Sequence, residues 1–421
     1  MSGHAIPDTI PDVVRAVDAV DAVDPAGLVG PVDAVDSAGL VGPVDAVDPA
    51  GLVGPVNPVD VVCLGESMVT FLPSRPGRLA DVPSFTRAIG GAETNVACAL
   101  AAAGHRAKWV GRVGGDGFGD HLVEVVGGHG VDVSAVGRDP HRPTGIYFRT
   151  DEDRATDAHE VVYYRAGSAA SAMSPATVPY ESVAGARILH LTGITAALSG
   201  DCLALLRELT APRPGRPLVS FDVNHRPALW RGGDAPGVLL ELARRADVVF
   251  VGADEAERLW GLRGAREVFD AVSGPEVVVV KLGGGGAVAA DRSRAARAGL
   301  EDGDGTATHV PAPRVDVVSP IGAGDAFAAG FLSATLRGLD LRARLRHGHL
   351  MAAAALTVPG DLAAPPRRDR LDRLAALDDA AWGTLHLGPG WTEADEKDPG
   401  RTGEGPEGPG RAGDDQEVRT P

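Results

Sequence analysis

The sequence predicts an α/β protein: a three-layer α/β/α sandwich with a mostly parallel central sheet and a small β-sheet lid. Three observations predict it. Short, continuous Val/Ile/Leu runs alternate with helical stretches, as strands buried on both faces do. Two aromatic-rich, polar-flanked segments break that pattern and read as a hairpin standing off the main sheet. A glycine turn, Gly322-Ala323-Gly324, opens a late helical run and offers free N–H groups and a positive dipole end to an anion.

At 421 residues the chain has room for one large or two ordinary domains, and 44% apolar residues support a real core. No apolar run approaches membrane-spanning length, so a soluble protein is expected. A formal net charge of −17 argues against a nucleic-acid partner, with part of that charge in the two tails, and no membrane partner is expected. Cys63, Cys98 and Cys202 stand far apart without metal-like spacing and fit reduced thiols in a cytoplasmic protein. The opening Met-Ser-Gly-His lacks the basic and apolar stretches of a signal peptide.

Residues 1–59 are expected to be a disordered tail. From Val20 a unit close to VDAVDPAGLVGP recurs every twelve residues. Its Pro and Gly breaks and lack of aromatics leave too little apolar area to offset ordering entropy. A single domain is expected over 60–378, followed by a disordered acidic tail, 379–421, that is Gly/Pro-rich from about Gly388. Within the domain, strands are expected at Asp60–Leu64, Ala107–Val110, Ile188–Leu191, Leu218–Asp222, Val248–Val251 and Val277–Lys281. Helices are expected at Glu93–Ala103, Asp201–Leu209 and Gly237–Arg245. Val317-Val318 form a short β-branched run ending at Pro320. Thr144–Thr150 and Glu160–Arg165, joined by the charged loop Asp151–His159, make the stand-off hairpin. With Val69–Leu72 and Ser84–Ala88 they complete a lid over about 69–88 and 144–165.

Five places carry chemistry. Asp325 follows the glycine turn, where a carboxylate would only repel a bound phosphate unless a base is needed for an attacking hydroxyl; the ordinary alternative is a dipole partner in the first helical turn. Gly90-Gly91-Ala92-Glu93-Thr94-Asn95 lets backbone approach a ligand, with Asn95 able to donate to and accept from sugar hydroxyls; the alternative is an N-capped helix. Tyr163 and Arg165 share one strand face, and an Arg fork suits bidentate capture of a carboxylate; solvated hairpin charges are the alternative. Asn224 and Arg226 close a strand at its carboxyl end, where a turn also suits them. Lys281-Leu282-Gly283-Gly284-Gly285-Gly286 is a polyglycine turn that passes close to a nucleotide or serves as a loose hairpin. No P-loop pattern and no dinucleotide fingerprint after the first strand is present.

Together these residues resemble the ribokinase-like (PfkB-type) sugar kinases over roughly residues 60–376, with the GG…N signature at Gly90, Gly91 and Asn95 and the GAGD signature at Gly322–Asp325. Tyr163–Pro175, Leu189–Ser199 and Ser220–Trp230 look like the 2-keto-3-deoxygluconate kinase branch. The resemblance implies ATP and Mg²⁺ as cofactors, a sugar acid as acceptor, Asp325 as base and Gly322, Ala323 and Gly324 as anion hole, with Arg226 against the transferring phosphoryl. Gly91, Ala92, Glu93, Asn95, Tyr147, Tyr163, Arg165 and Asp361 match acceptor positions. Asn224, Arg226, Lys281, Gly283, Gly284, Gly286 and His349 match nucleotide positions. Glu255 matches one half of an Asn-x-x-Glu pair linked indirectly to the metal; Gly252 stands where the Asn is usual, and His349 where an Asn is. The lid sheet is a candidate homo-oligomer surface.

Three other readings remain at this point. A kinase of a neutral sugar, fructose or ribose, would leave a buried Arg165 guanidinium without a partner. A non-catalytic sugar-binding regulator would have lost Asp325 or its turn. A nucleoside kinase would lack the keto-acid-like stretches.

Overall fold

The computed structural model describes residues 59–75, 77–150, 161–230, 233–292 and 307–393. The expected N-terminal tail (apart from residue 59), the charged loop of the hairpin and the chain beyond 393 lie outside the described residues.

The strands run in chain order β1 (Val61–Leu64), β2 (Met68–Pro73), β3 (Phe85–Gly90), β4 (Ala107–Gly114), β5 (Asp132–Asp139), β6 (Ile146–Arg149), β7 (Val161–Tyr164), β8 (Ile188–Thr192), β9 (Leu218–Asp222), β10 (Val248–Gly252), β11 (Val277–Lys281), β12 (Ala287–Asp291), β13 (Ala307–Val310), β14 (Arg314–Val315) and β15 (His386–Leu387). Nine of them form one sheet in the order β13-β12-β11-β10-β9-β8-β1-β4-β5. Every neighbouring pair from β11 to β5 is parallel, and only the β11–β12 and β12–β13 pairings at one edge are antiparallel. The order reverses at β1, which lies between β4 and β8. That is a topological switch point, and a crevice opens there at the strands' carboxyl ends.

The continuous apolar runs are explained by burial on both faces. In β11, Val277 and Val279 pack on one side with Phe250, Phe327 and Phe331. Val278 and Val280 pack on the other with Leu205, Leu239 and Phe221. Helices Ala92–Ala102, Ala323–Leu336 and Leu341–Leu356 bring their buried residues to the first face, and Gly200–Leu209 and Ala235–Arg245 to the second.

A separate four-stranded sheet has the order β3-β2-β6-β7. It contains the stand-off hairpin, β6 antiparallel to β7, joined through a parallel β2–β6 pairing. Phe71 stacks on Phe148 with ring centroids 4.8 Å apart. β1 leads into this sheet through Gly65–Ser67, and β3 returns from it at Gly90 directly into helix Ala92–Ala102, so both junctions sit at the crevice.

One expectation needs correction. The domain does not stop at 378: helix Asp379–Thr384 and β15 follow, and β15 pairs with β14. Trp382 is 1% exposed, its indole N–H donates to the Pro311 carbonyl at 2.9 Å, and Trp391 is also buried. The β-branched pair Val317-Val318 is exposed and follows the short strand Arg314–Val315.

Candidate active site

The crevice at the carboxyl ends of the central strands, flanked by the lid sheet, encloses about 770 Å³. That is room for a nucleotide and a small acceptor together. Its floor is the turn Pro320–Asp325.

Gly322 adopts a left-handed conformation, φ 75°, and caps helix Ala323–Leu336. A Cβ there would lie 2.3 Å from the Asp361 carbonyl oxygen, so glycine is required both by backbone angle and by close approach. Gly322 and Gly324 line the crevice at the N-terminus of this helix, where the first N–H groups have no partner within the helix. Asp325, half-buried in the first helical turn, accepts a hydrogen bond from Asn95 Nδ2 at 2.8 Å. Helix Ala92–Ala102 packs against helix Ala323–Leu336, and this contact joins the two sequence signatures. Loss of hydration raises the Asp325 carboxyl to about 7; the Asn95 donor, Arg226 and Lys281 oppose the rise and Asp222 adds to it. A carboxyl poised near neutrality and open to a cleft suits a general base.

Toward the lid, Tyr147 and Tyr163 line the crevice with Arg165. Arg165 is buried and paired with Glu66, whose other oxygen accepts from the Ser168 hydroxyl at 2.8 Å. The expectation that an uncharged acceptor would leave this guanidinium unpartnered is therefore wrong: Glu66 partners it already. Tyr147 donates to Asp361 Oδ2 at 2.9 Å, and Arg149 pairs with Asp361 Oδ1 at 3.0 Å. Burial pushes the Asp361 carboxyl above the usual range, against the pull of Arg149 and Tyr147. Gly91 and Ala92 line the crevice, but Glu93 does not. It turns inward, fully buried, and accepts from the hydroxyls of Thr192 at 2.8 Å and Thr195 at 2.7 Å. Burial raises Glu93 to about 7 against those two donors. It ties the Gly90-Gly91 turn to the end of β8 and has no face toward an acceptor.

At the other end, Asn224, Arg226, Lys281, Gly283 and Glu255 line the crevice. Asn224 has φ 39°, a left-handed angle that Asn tolerates better than most residues. Lys281 donates to Asp222 Oδ2 at 2.8 Å. Burial alone would lower its ammonium, but Asp222, Glu255 and Asp325 outweigh that and hold it above its ordinary value. Both Glu255 oxygens are taken by main-chain donors, Oε1 by His225 N at 2.9 Å and Oε2 by Gly252 N at 2.8 Å. Gly284 sits exposed in the glycine turn without lining the crevice. Gly286 and His349 are corrections: Gly286 is buried where a Cβ would lie 2.2 Å from the Val310 carbonyl oxygen, and His349 Nε2 bonds that same carbonyl at 3.1 Å. Packed edge-on against Phe327, His349 belongs to the core beneath the crevice. Ala323 lies in the turn but does not line the cavity.

Residues 59–368 match the family model described as pfkB family carbohydrate kinase. The chain belongs to this family. It is 34% identical to the 2-dehydro-3-deoxygluconokinase of Bacillus subtilis (strain 168) over 316 residues, covering 74% of this chain and 93% of the relative. It is also 34% identical to the Thermoproteus tenax 2-dehydro-3-deoxygluconokinase over 322 residues, covering 75% and 94%. A sugar kinase of Pyrococcus horikoshii solved in complex with ATP superposes with a TM-score of 0.64 at 26% identity, over 77% of this chain and all of the other. The fold is ribokinase-like, and the enzyme is a PfkB carbohydrate kinase.

For this kinase, sequence reasoning missed Glu66 and Arg149. Glu66 lies two residues past the first expected strand, and Arg149 lies inside the hairpin segment Thr144–Thr150. Their roles arise from pairings across 99 residues, for Arg165 with Glu66, and between Arg149 and Asp361, which no local spacing encodes. No helix among the described residues is long and apolar enough to cross a membrane.

Proposed function

We propose that this kinase transfers the γ-phosphoryl of ATP to the terminal hydroxyl of a keto-acid sugar, 2-dehydro-3-deoxy-D-gluconate. The observation that carries the chemistry is Asp325, poised near pH 7 at the floor of one crevice and held by Asn95 beside the Gly322 turn. Asp325 takes the proton from the attacking hydroxyl as the hydroxyl oxygen bonds to the γ-phosphorus and the bond to the β–γ bridging oxygen breaks, with ADP leaving. The N–H groups of the Gly322–Gly324 turn face the charge that develops on the transferring group. Arg226 and Lys281, both lining the same crevice, add positive charge on the nucleotide side.

The acid acceptor is favoured by the lid end. Two guanidiniums, Arg149 and Arg165, and two phenols, Tyr147 and Tyr163, line it. The named relatives that are 34% identical to this chain point the same way. Among the described residues no group of three or more His, Cys, Asp or Glu is placed to hold a metal ion. Mg²⁺ would be carried on the nucleotide phosphates, with Glu255 acting at one remove through the main chain it grips. Bound there, Mg²⁺ would supply charge neutralisation on the phosphates.

The test is a coupled ADP-release assay on 2-dehydro-3-deoxygluconate, 2-dehydro-3-deoxygalactonate, fructose, ribose and adenosine. The gluconate-derived acid should give the highest kcat/KM, by about tenfold or more over the neutral sugars. Arg165→Ala should erase that preference, and Arg165→Ala with Glu66→Gln should recover thermal stability but not the preference. A wild type that favours fructose or ribose, or a double variant that regains acid selectivity, rules the proposal out.

A further inference from the structure

We infer that the small cavity between β4, β5 and the segment Thr177–Ser182 is a second binding site, for a phosphate-sized oxyanion, with Arg112 as its anchor. It shares no lining residue with the crevice and rests on none of the chemistry proposed there.

The cavity encloses about 60 Å³, space for on the order of four waters. That admits an ion the size of phosphate and excludes a nucleotide or a sugar. Among the described residues that line it, Arg112 is the one charged group and none is acidic. Arg112 lies on β4 with its side chain 21% exposed. Its Nε donates to Asp139 Oδ2 at 3.1 Å, which orients the guanidinium, while Nη1 and Nη2 have no hydrogen-bond partner among the described residues. A guanidinium held by its inner nitrogen presents the outer two as a fork, the arrangement that takes two oxygens of one anion. Asp139 does not cancel the charge here. Its Oδ2 also faces Arg142 Nε at 3.9 Å, and its Oδ1 is taken by the main-chain N–H groups of His141 at 2.9 Å and Arg142 at 3.1 Å. Two guanidiniums thus share one carboxylate, and a net positive charge remains. The Ser182 hydroxyl, also in the lining, has no partner among the described residues and supplies a third donor. The Thr177 hydroxyl is spent on the carbonyls of Ala172 and Ser174. Gly137, paired with Arg112 across β4 and β5, keeps the space beside the fork open: a Cβ there would stand 3.6 Å from Nη1. Three donors and no acidic group in so small a space select an anion with several oxygens. The cavity stands at the root of the lid, because the turn held by Asp139 leads from β5 to β6 and Thr177–Ser182 lies on the connection from β7 to β8. The two connections touch where Ala169 N donates to the Pro143 carbonyl at 2.8 Å.

The experiment is titration calorimetry of inorganic phosphate into the full chain, with Mg²⁺ and a non-hydrolysable ATP analogue saturating the crevice. Salt is kept at about 0.15 M, where weak surface attraction is screened. Wild type should bind one phosphate with a millimolar dissociation constant. Arg112→Met removes two charge-assisted hydrogen bonds and should weaken binding by about tenfold or more. Gly137→Val keeps the guanidinium but fills the space beside it, and should bind as weakly as Arg112→Met. Ser182→Ala should cost only a few-fold. Acetate, which lacks the further oxygens of a tetrahedral anion, should bind wild type less tightly than phosphate. Melting temperatures in phosphate-free buffer check that each variant is folded. Asp139 keeps its two main-chain donors in Arg112→Met; if that variant still fails to fold, Gly137→Val decides the question. No saturable phosphate binding in the wild type, binding that survives in folded Arg112→Met or Gly137→Val, or acetate binding tighter than phosphate would each overturn the inference.

Discussion

Asp325→Asn separates the chemistry of the crevice from its architecture. The substitution keeps shape and size, and the new side-chain oxygen still accepts from Asn95, so the contact between the two signature helices survives. What disappears is the proton acceptor. A positioned general base contributes about 10²–10⁴-fold, so kcat should fall by that much. Sugar KM should stay within a few-fold, and ATP affinity should hold or rise, because one negative charge near Lys281 and Arg226 has gone. The raised carboxyl adds a pH signature. With Asp325 titrating at about 7, wild-type log kcat should climb with pH up to about 7 and then level off. Stability runs in the opposite sense. The folded carboxyl holds its proton more tightly than the unfolded one, so ionising it costs stability as pH rises from about 4 through 7. The Asn variant carries no such cost. It should melt higher than wild type at pH 8, and the gap should close toward pH 4. Coupled ADP release over pH 5.5–9, titration calorimetry with ATP, and thermal melts at both pH values read all three. Near-normal turnover, or a variant that loses sugar binding in proportion to kcat, would refute Asp325 as the base.

Two further outcomes follow from packing. Gly322→Ala places a methyl against the Asp361 main chain at a left-handed φ, so kcat should fall on the order of 10²-fold with a melting temperature a few degrees lower; unchanged kinetics would show that the turn does not shape the transfer site. Trp382→Ala empties a fully buried site and removes the Pro311 hydrogen bond and the Arg346 guanidinium's aromatic face, 4.7 Å from its centroid; urea unfolding should lose about 3–5 kcal/mol with kcat nearly unchanged.

The parts of this fold that were legible before any coordinates are those written locally. Val277–Lys281 and Leu218–Asp222 declare themselves as strands because both of their faces are buried, which forces uninterrupted apolar runs. The lid hairpin is legible because both of its strands are aromatic-rich and polar-flanked; Tyr147 and Tyr163 sit opposite each other on them, with ring centroids 5.4 Å apart. β5 was not read, since Asp132–Asp139 is an edge strand carrying charge at both ends. The segment 379–393 was hidden by the Gly/Pro/acidic composition that follows it; Trp382 and Trp391 were the signal, because a tail gains nothing from two indoles. Glu93 and His349 were carried into the site by motif position. Only burial reveals that each faces the core, where Thr192, Thr195 and the Val310 carbonyl are their partners.

The Glu66–Arg165 pair changes what acceptor choice depends on. A guanidinium with no partner in the empty enzyme would demand a carboxylate ligand, and selectivity would be close to absolute. Here the charge is already matched within the protein, and Ser168 holds the second Glu66 oxygen, so the fork is oriented before any acceptor arrives. On the proposed reading a sugar acid would be the second partner of Arg165, and what it would gain is the unused donor capacity of a five-donor group, whose Nε is buried without a hydrogen-bond partner. Hydroxyl groups of a neutral sugar can satisfy part of that capacity, though less strongly than a carboxylate. The architecture therefore favours a graded preference for the acid, about ten- to a hundredfold, over outright rejection of neutral sugars. The same pre-pairing explains why losing Arg165 alone should damage the fold: it strands Glu66 as a buried, unmatched charge, a loss of about 3–5 kcal/mol that a second change at Glu66 would relieve.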